Sequence, residues 1–396
     1  METRPELGTG YFTANLNHTR NQYARPGDIV ERQLAARMEH SGWSAGAPQG
    51  KKKRPTQCDP VVLILPNRHR DITNAPPIFA GTPMAEDNHY IPIFYQKRWA
   101  ICADKRVCVY SQPHKDARVE RKHPKGVGYQ RDLYTVTNVD AAVATYLERH
   151  FFKVTDDLAA KALSIIEAGQ WKPMDTATRS GWTRFIMSLL HRNPEQVGKF
   201  LEIVSQYVAI VKPQYEKLYH DKRDANHPAT FDEFWQDILP EVVGRTWVKL
   251  IQTTIDSKSV GAHFNSLIWR VLDFKSSHTF LTGDRPIIMT NGMNYTDSHL
   301  AIPIGPRKLF IAAHTAGWAD ALMHDKADNV IAFVNDRIVR QARRFCIGVN
   351  DAHLLFFAKR FGQMLPSSPV ETVPLPTAEE LNELALKNEV EDQDDL

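Results

Sequence analysis

Apolar and polar positions alternate along the chain that follows residue 86, which is the period of a half-buried β-strand. Residues 106–110 read RVCVY and residues 132–136 read DLYTV, and both stretches alternate and contain β-branched side chains. We therefore predict a strand at each place. In the second strand Asp132 and Tyr134 would point to the same face, because successive side chains of a strand point to opposite faces. Residues 115–125 are basic and are predicted to form a loop between these strands.

In the middle of the chain the apolar residues recur at helical spacing instead. The pattern predicts helices over residues 139–168 and 181–191, and a third helix that begins at Pro194, since proline is tolerated in a first helical turn. Thr230 and Glu233 have the spacing of a capping box, in which two side chains satisfy free amides at the start of a helix. A long helix is therefore predicted after Thr230.

Apolar runs of strand length return in the last third of the chain. The predicted strands cover residues 267–274, 300–304, 309–313 and 353–357, and a helix over residues 329–343 lies among them. Strands, then helices, then strands, without regular β-α-β alternation, indicate the α+β class. We predict one domain over residues 86–360, with a mixed sheet built from both ends of the domain and a central helical layer.

The two ends of the chain differ from this domain in composition. Residues 1–85 hold several stretches rich in Gly, Pro and Lys, and we predict a partly irregular N-terminal extension with a short helix at 27–39 and a β-run at 61–65. Residues 361–396 are predicted to be a flexible acidic tail, since residues 379–396 carry eight acids and one lysine.

Composition narrows the class of protein. The 396 residues are 42% hydrophobic and 24% charged, as in ordinary soluble domains, and the net charge of +3 provides no global field that would attract nucleic acid. There is no apolar core of a signal peptide and no apolar run of about 18 residues, so we expect a cytoplasmic protein with no membrane span. The four cysteines lack zinc-site spacing, and reduced thiols are expected.

Two common signatures of bound cofactors are missing from the sequence. There is no HExxH metal motif and no P-loop, and the glycines at residues 126 and 128 lack the strand-turn-helix context of a dinucleotide site. The sequence therefore predicts no metal site, and it leaves both the cofactor and the oligomeric state unknown.

The segment NHYIPIFYQKRWA, at residues 88–100, concentrates aromatic and basic side chains around one proline. It resembles the opening HHYIPQFYLRRF of a bacterial family labelled only as domain of unknown function 4238. Later stretches resemble the same family in the same order, over about residues 86–358: Arg131–Thr135, Arg192–Pro194, Thr282–Pro286, Pro303–Pro306, and Asn335 in a helix that leads to Ala342–Phe345. The resemblance implies a fold and site candidates, but it implies no reaction.

The chain departs from the family pattern at three positions. Asn88 stands where the family often has a first histidine, Thr155 stands near an expected helix glutamate, and Gly283 replaces a serine. If those side chains serve catalysis in the family, this chain is altered or inactive.

Three side chains are candidates for catalysis. His89 could act as a general base or acid, because its pKa lies near neutrality, or it could be a packed histidine that fixes a strand. Asp284 follows a predicted strand and could orient His89, bind a metal or act as a base, but it could also close a local turn. Arg98 could stabilise negative charge in a transition state.

Five further residues are candidates for binding: Tyr95, Asp132, Tyr134, Arg192 and Asn335. Asp132 and Tyr134 could complete a polar pocket from one strand face. Arg192 could bind an anion, although an arginine at the end of a helix can equally satisfy free carbonyls. Asn335 could cap or bridge between layers.

These candidates leave two hypotheses from different classes. The first is a hydrolase that acts on a phosphodiester, in nucleic acid or in a nucleotide, with His89 as general base and Asp284 and Arg98 in support. The basic residues 115–125 favour this reading, because they could follow a phosphate backbone. The second is a non-catalytic binding or interaction protein, in which the same residues form a structural polar network.

Overall fold

The computed structural model describes residues 87–135, 146–169, 174–223, 227–289 and 298–364. The predicted N-terminal extension, the acidic tail beyond residue 364, and the predicted start of the first long helix at residue 139 lie outside the described residues.

The described residues form short strands around a layer of long helices. The strands are β1 Asp87–His89, β2 Val107–Ser111, β3 Arg118–Lys122, β4 Tyr129–Arg131, β5 Ile268–Asp273, β6 Thr282–Gly283, β7 Ile288–Met289, β8 His299–Pro303, β9 Lys308–Ala313 and β10 Cys346–Gly348. The α-helices are α1 Ile93–Gln96, α2 Lys153–Glu167, α3 Thr176–His191, α4 Pro194–Lys222, α5 Phe231–Ile255, α6 Lys258–Ser266, α7 Gly317–His324, α8 Ala327–Gln341 and α9 Leu354–Ala358. The order of strands, helices and strands confirms the α+β class.

The sheets differ from the predicted single mixed sheet. The strands form three separate sheets in the orders β1-β4, β3-β2-β10-β6 and β5-β9-β8-β7, and every pairing among the described strands is antiparallel. Short connections join β2 to β3 and β8 to β9, and such connections permit only antiparallel pairing. The second sheet does draw its strands from both ends of the domain, as predicted.

The aromatic segment at residues 88–100 begins in β1 and is helical from Ile93 to Trp99. Pro92 has φ −61° and ψ 143°, and it leads directly into α1, which continues as a 3₁₀ turn over Lys97–Trp99. This places Tyr95 and Trp99 four residues apart on one helical face, where both are fully buried. The Trp99 indole donates to the Phe280 carbonyl at 2.7 Å, so the segment anchors the chain just before β6.

Three of the secondary-structure predictions made from the sequence are wrong, two near the start of the domain and one near its end. The described part of the predicted strand, residues 132–135, is a turn, because Asp132 has φ 51° and the Thr135 amide donates to its carbonyl. The basic residues 115–125 contain the edge strand β3 rather than a loop, since apolar Val119 alternates with charged neighbours. Residues 353–357 begin helix α9, because a short apolar run fits either structure and here Phe357 packs on Tyr110.

The helical layer follows the predictions more closely. A π-helical turn at Leu147–Phe152 runs into α2, which packs on α3, and α4 packs on α5. Pro194 occupies the first turn of α4, and Thr230 and Glu233 form the predicted capping box at the start of α5. Among the described residues, no helix has the length and apolar character that a membrane crossing requires.

Candidate functional site

The side chain of Arg192 is the most unusual buried group among the described residues. It is completely buried, and its Nη1 donates to Asp156 Oδ1 at 3.0 Å. Its Nε and Nη2 atoms have no hydrogen-bond partner in the described part of the chain. The aromatic rings of Phe152 and Phe185 lie 5.6 and 5.8 Å from the guanidinium and contribute cation–π attraction. A buried cation with two unused donors is costly, so the position calls for a further acceptor.

The junction between two helices explains why Arg192 lies here. Its amide closes the last turn of α3 by donating to Ser188, and Asn193 caps α4 by accepting from the Gln196 amide at 3.1 Å. Pro194 then starts α4, a helix of 29 residues. The Arg192 side chain does not satisfy free carbonyls, which was one of the two readings that the sequence allowed. It lies just outside the positive end of a long helix dipole.

Asp156 connects this buried arginine to solvent. The Asp156 side chain is one quarter exposed, whereas that of Arg192 is not exposed at all. Burial of the carboxyl raises the pKa of Asp156, and the charge of Arg192 opposes that rise without cancelling it. Asp156 directly follows Thr155, whose hydroxyl donates to the Phe151 carbonyl inside the helix. The carboxylate that the family pattern leads one to expect near residue 155 is thus present one position later.

Tyr134 reaches the same place from the turn after β4. Its buried hydroxyl donates to the Arg192 carbonyl at 2.8 Å, and its amide donates to Asn88 Oδ1 at 3.3 Å. Burial is the main cause that raises the pKa of Tyr134, and the nearby carboxylates of Glu148 and Asp156 raise it further. Asn88 therefore accepts a hydrogen bond from a main-chain amide. The histidine that the family often has at this position could accept the same bond through a ring nitrogen.

His89 lies beside this group on β1. Its Nε2 is 3.1 Å from the Lys125 carbonyl, and its ring lies 5.6 Å from the ring of Tyr129. A carbonyl can only accept, so Nε2 carries the proton of the neutral ring and Nδ1 is the basic nitrogen. Burial lowers the pKa of His89, and the positive charge of Arg192 lowers it further. The imidazole is therefore neutral at pH 7 and able to accept a proton.

Asp284 has a different set of partners. Its carboxylate is buried and accepts from the amide of Arg343 at 3.0 and 3.2 Å and from that of Arg344 at 2.8 Å. Burial, reinforced by the charge of Glu195, raises the pKa of Asp284 to about 6, although the two amide bonds act in the opposite direction. Among the described residues no hydrogen bond joins Asp284 to His89, so Asp284 does not orient His89 directly.

The close approach of two strands explains the glycine at residue 283. A Cβ atom at this position would lie 2.7 Å from the Phe345 carbonyl oxygen. The glycine therefore allows β6 to pair closely with β10, and its small size does not open a path for a ligand.

A second charged group links Asp284 to the junction at Arg192. Glu195, in the first turn of α4, lies 3.3 Å from Arg344 Nε and 3.8 Å from Arg285 Nη2. The Arg344 guanidinium lies 5.9 Å from the Tyr90 ring, and burial together with the charge of Asp284 raises the pKa of Tyr90. Tyr90 is also among the causes that raise the pKa of Tyr134. The charged group around Asp284 and the group around Arg192 are therefore neighbours.

The remaining candidates have structural partners elsewhere. Arg98 pairs with Glu167 at 2.9 Å. The Tyr95 hydroxyl donates to the Pro303 carbonyl at 2.7 Å and contacts Thr282 Oγ1 at 2.8 Å. Asn335 accepts from the Leu281 amide at 2.7 Å and donates to the Thr279 carbonyl at 2.9 Å. Asp132 is exposed on its turn, whereas Tyr134 is buried.

The structure therefore joins Tyr134, Arg192 and Asp156 from distant segments. His89 lies near enough for the charge of Arg192 to lower its pKa, and Glu195 stands in the first turn of α4 that follows Arg192. These acids were missed as site residues because each reads as an ordinary helix carboxylate. The signal that could have found Asp156 is the acidic cluster beside Thr155 in the sequence. Within the described residues, no three His, Cys, Asp or Glu side chains lie close enough together to hold a metal ion.

Comparison with known proteins identifies the family but no activity. A family model described as Protein of unknown function (DUF4238) matches residues 87–352. No curated protein and no solved structure matches the chain. The matched range contains every residue of the site described above, from His89 to Arg344.

Proposed function

This chain belongs to the DUF4238 family, and we propose that it hydrolyses phosphodiester bonds at a site formed by Arg192, Asp156, His89 and Tyr134. The observation that carries this proposal is the pair of unused donors on the buried guanidinium of Arg192. Nε and Nη2 lie on one side of a planar fork, and such a fork matches two oxygens of a phosphate group.

The surroundings favour an anion at this position. Arg192 directly precedes α4, so the positive end of the helix dipole adds to its charge. Asp156 neutralises only one face of the guanidinium, through Nη1. A phosphate bound at the other edge would accept hydrogen bonds from Nε and Nη2, which have no acceptor among the described residues.

The groups around the proposed phosphate can move protons. The neutral His89 presents Nδ1 as a base that can take a proton from the attacking water. Asp156 is the counter-ion of Arg192 and would hold the guanidinium in position through Nη1. Arg192 would stabilise the charge that develops on the phosphoryl oxygens.

The basic strand beside His89 supports a substrate with several phosphates. The Lys125 carbonyl accepts from His89, and the segment from Arg118 to Lys125 carries exposed basic side chains. Such side chains follow a nucleic-acid backbone without reading its sequence. We place the activity in the cytoplasm, a location that the free thiols of Cys102, Cys108 and Cys346 support.

The second candidate function is a non-catalytic binding protein. It is favoured by the way in which Tyr95, Asp284 and Asn335 use their polar atoms on the main chain, as members of a structural network do. In this case Arg192 would bind an anionic partner without chemistry.

Hydrolysis assays separate the two candidates. Purified protein is tested on single-stranded RNA, single-stranded DNA and cyclic or linear nucleotides, together with His89→Ala and Arg192→Lys. Arg184→Lys is the matched control, because Arg184 lies on the same helix and pairs with Asp256 at 2.6 Å outside the site. The hydrolase proposal requires that Arg184→Lys keeps the activity while both site variants lose most of it. Binding without turnover in the wild type supports the second candidate.

A further inference from the structure

Two thiols share one guanidinium on the second sheet. Arg121 Nη1 donates to Cys108 Sγ at 3.6 Å. Cys102 lies near enough to the same guanidinium to contribute, after Asp104, to the raised pKa of Arg121. Cys102 is partly exposed, whereas Cys108 is buried. Cys102 is also close enough to Cys108 to be among the causes that raise the pKa of the Cys108 thiol, after burial as the largest cause.

The local fold explains this arrangement. The register of β2 and β3 places Arg121 directly opposite Cys108. The loop before β2 turns back at Lys105, whose φ is 52° and whose amide donates to the Cys102 carbonyl at 3.0 Å. Asp104 in the same loop holds Arg121 through bonds of 2.6, 2.7 and 3.1 Å. Asp104 and the register of β2 and β3 thus hold the loop that carries Cys102 against the guanidinium that bonds Cys108.

We propose that Cys102 and Cys108 form a redox-active dithiol, which a peroxide oxidises to an intramolecular disulfide. The thiolate of Cys102 attacks one peroxide oxygen and the O–O bond breaks, which yields a sulfenic acid on Cys102 and one water or alcohol. The sulfur of Cys108 then attacks the sulfenic sulfur, the S–O bond breaks, and a second water leaves with the proton of Cys108. The two sulfurs lose two electrons and the peroxide gains two.

Each thiol has the property that its step requires. Cys102 is the accessible member, so it meets the peroxide first. Cys108 is protected from solvent, which suits a resolving thiol that reacts only with its neighbour. Burial raises the pKa of Cys108, and the adjacent Arg121 opposes that rise. An arginine beside a thiol favours the thiolate, which is the reactive form.

The other described thiol provides an internal contrast. Cys346 is fully buried on β10, burial raises its pKa well above the usual range, and the negative charge of Asp284 acts in the same direction. A buried thiol beside a carboxylate is inert. We therefore expect oxidation to be selective for the pair at Arg121, and this inference does not depend on the proposed hydrolase activity.

Peptide mapping of the full chain tests the proposal directly. Trypsin cleaves after Lys105 and Arg106, between the two cysteines, so a Cys102–Cys108 bond joins two peptides that a reductant separates. The protein is treated with a small excess of hydrogen peroxide, quenched with iodoacetamide and digested without reduction. The expected product is the joined pair, with Cys346 alkylated only after unfolding.

Matched variants test the role of the arginine. Arg121→Gln should slow disulfide formation at pH 7 by about threefold or more, since the variant removes the positive charge that favours the reactive thiolate. Arg118→Gln, on the same exposed strand and paired with Glu120 at 3.1 Å, should leave the rate unchanged. Cys102→Ser should remove the joined peptides without unfolding the protein, because its side chain is partly exposed.

Three outcomes would overturn the proposal. One is a wild-type map in which Cys102 carries only sulfinic acid or a bond to a different cysteine. A second is joined peptides in the Cys102→Ser variant. A third is an equal loss of rate in the Arg118→Gln and Arg121→Gln variants, which would show that net strand charge and not the shared guanidinium controls the reaction.

Discussion

Arg192 Nη1 lies 3.0 Å from Asp156 Oδ1, and this is the one ion pair that the fully buried guanidinium makes among the described residues. The pair joins the junction of α3 and α4 to the first turn of α2. Because one partner is inside the protein and the other reaches solvent, the pair both stabilises the fold and defines where a ligand could meet the cation.

Removal of the Asp156 carboxylate should destabilise the protein. Asp156→Ala leaves the buried Arg192 without its counter-ion, and breaking such a pair typically costs about 3–5 kcal/mol. Urea unfolding at pH 7 measures the change in the free energy of unfolding. Asp157→Ala is the control, since Asp157 is its exposed neighbour on the same helix. Equal stability of the two variants would contradict the role assigned to Asp156.

Inorganic phosphate should bind at Arg192 and raise the melting temperature. A ligand at about 100 times its dissociation constant stabilises the folded state by about 2.7 kcal/mol. The increase, measured by thermal unfolding in phosphate against a buffer of equal ionic strength, should be lost in Arg192→Lys and kept in Arg184→Lys. If both variants respond as the wild type does, phosphate binds elsewhere.

His191 should make the protein less stable in mild acid. Burial lowers the pKa of His191 from 6.5 to about 4, so the folded state resists protonation that the unfolded chain accepts. The stabilising contribution is complete above pH 6.5 and is lost as the pH falls toward 4, by about 3 kcal/mol in total. Urea unfolding across this window should show a shallower dependence in His191→Gln, whereas the exposed His150→Gln should keep the wild-type slope.

Asp284 should act in the opposite direction over an overlapping window. Its pKa in the folded protein is raised to about 6, above the usual 3.8, so the folded state binds the proton more tightly than the unfolded chain does. The contribution of Asp284 is therefore greatest below pH 4 and is lost as the pH rises through 6, by about 3 kcal/mol. The difference in unfolding free energy between the wild type and Asp284→Asn should decrease as the pH rises from 4 to 6. If the difference grows instead, the amide bonds of Arg343 and Arg344 favour the ionised form of Asp284 by more than burial disfavours it.

Tyr95→Phe should lower stability but leave the proposed site intact. The variant removes the hydroxyl that bonds the Pro303 carbonyl and Thr282, and leaving buried groups unpaired costs about 1–3 kcal/mol. Unfolding by urea measures the loss, with the partly exposed Tyr129→Phe as control. Phosphate binding, measured at a temperature where both variants are folded, should be unchanged. A loss of phosphate binding in Tyr95→Phe would show that Tyr95 belongs to the binding site.

Much of the helical layer could be predicted from local signals. The capping box at Thr230 and the proline at residue 194 act within one turn of the chain, so their effect does not depend on distant contacts. The strands β2, β5, β8 and β9 likewise follow from alternation or from runs of β-branched residues. Neighbouring residues carry enough information where the structure is set by local geometry.

The failures occur where distant partners decide the conformation. Residues 353–357 have an apolar run that suits a strand or a helix, and packing of Phe357 on Tyr110 and Phe361 selects the helix. Asp132 and Tyr134 alternate as in a strand, but a positive φ at Asp132 turns the chain and sends the two side chains to different environments. The helical turns at residues 93–99 likewise depend on distant partners, because Tyr95 bonds Thr282 and the Pro303 carbonyl and Trp99 bonds the Phe280 carbonyl.

By itself the sequence determined the family, the α+β class and the candidate types: a histidine, an aspartate and several arginines in a chain without a P-loop. Only the tertiary structure decided what each of them does. It tied Asp284 to main-chain amides and Arg98 to Glu167. It also buried Arg192 beside Asp156 with two donors that no described residue accepts from. The physical reason is that a charged side chain acquires its role from burial and from its partners, and both depend on residues far away in the sequence.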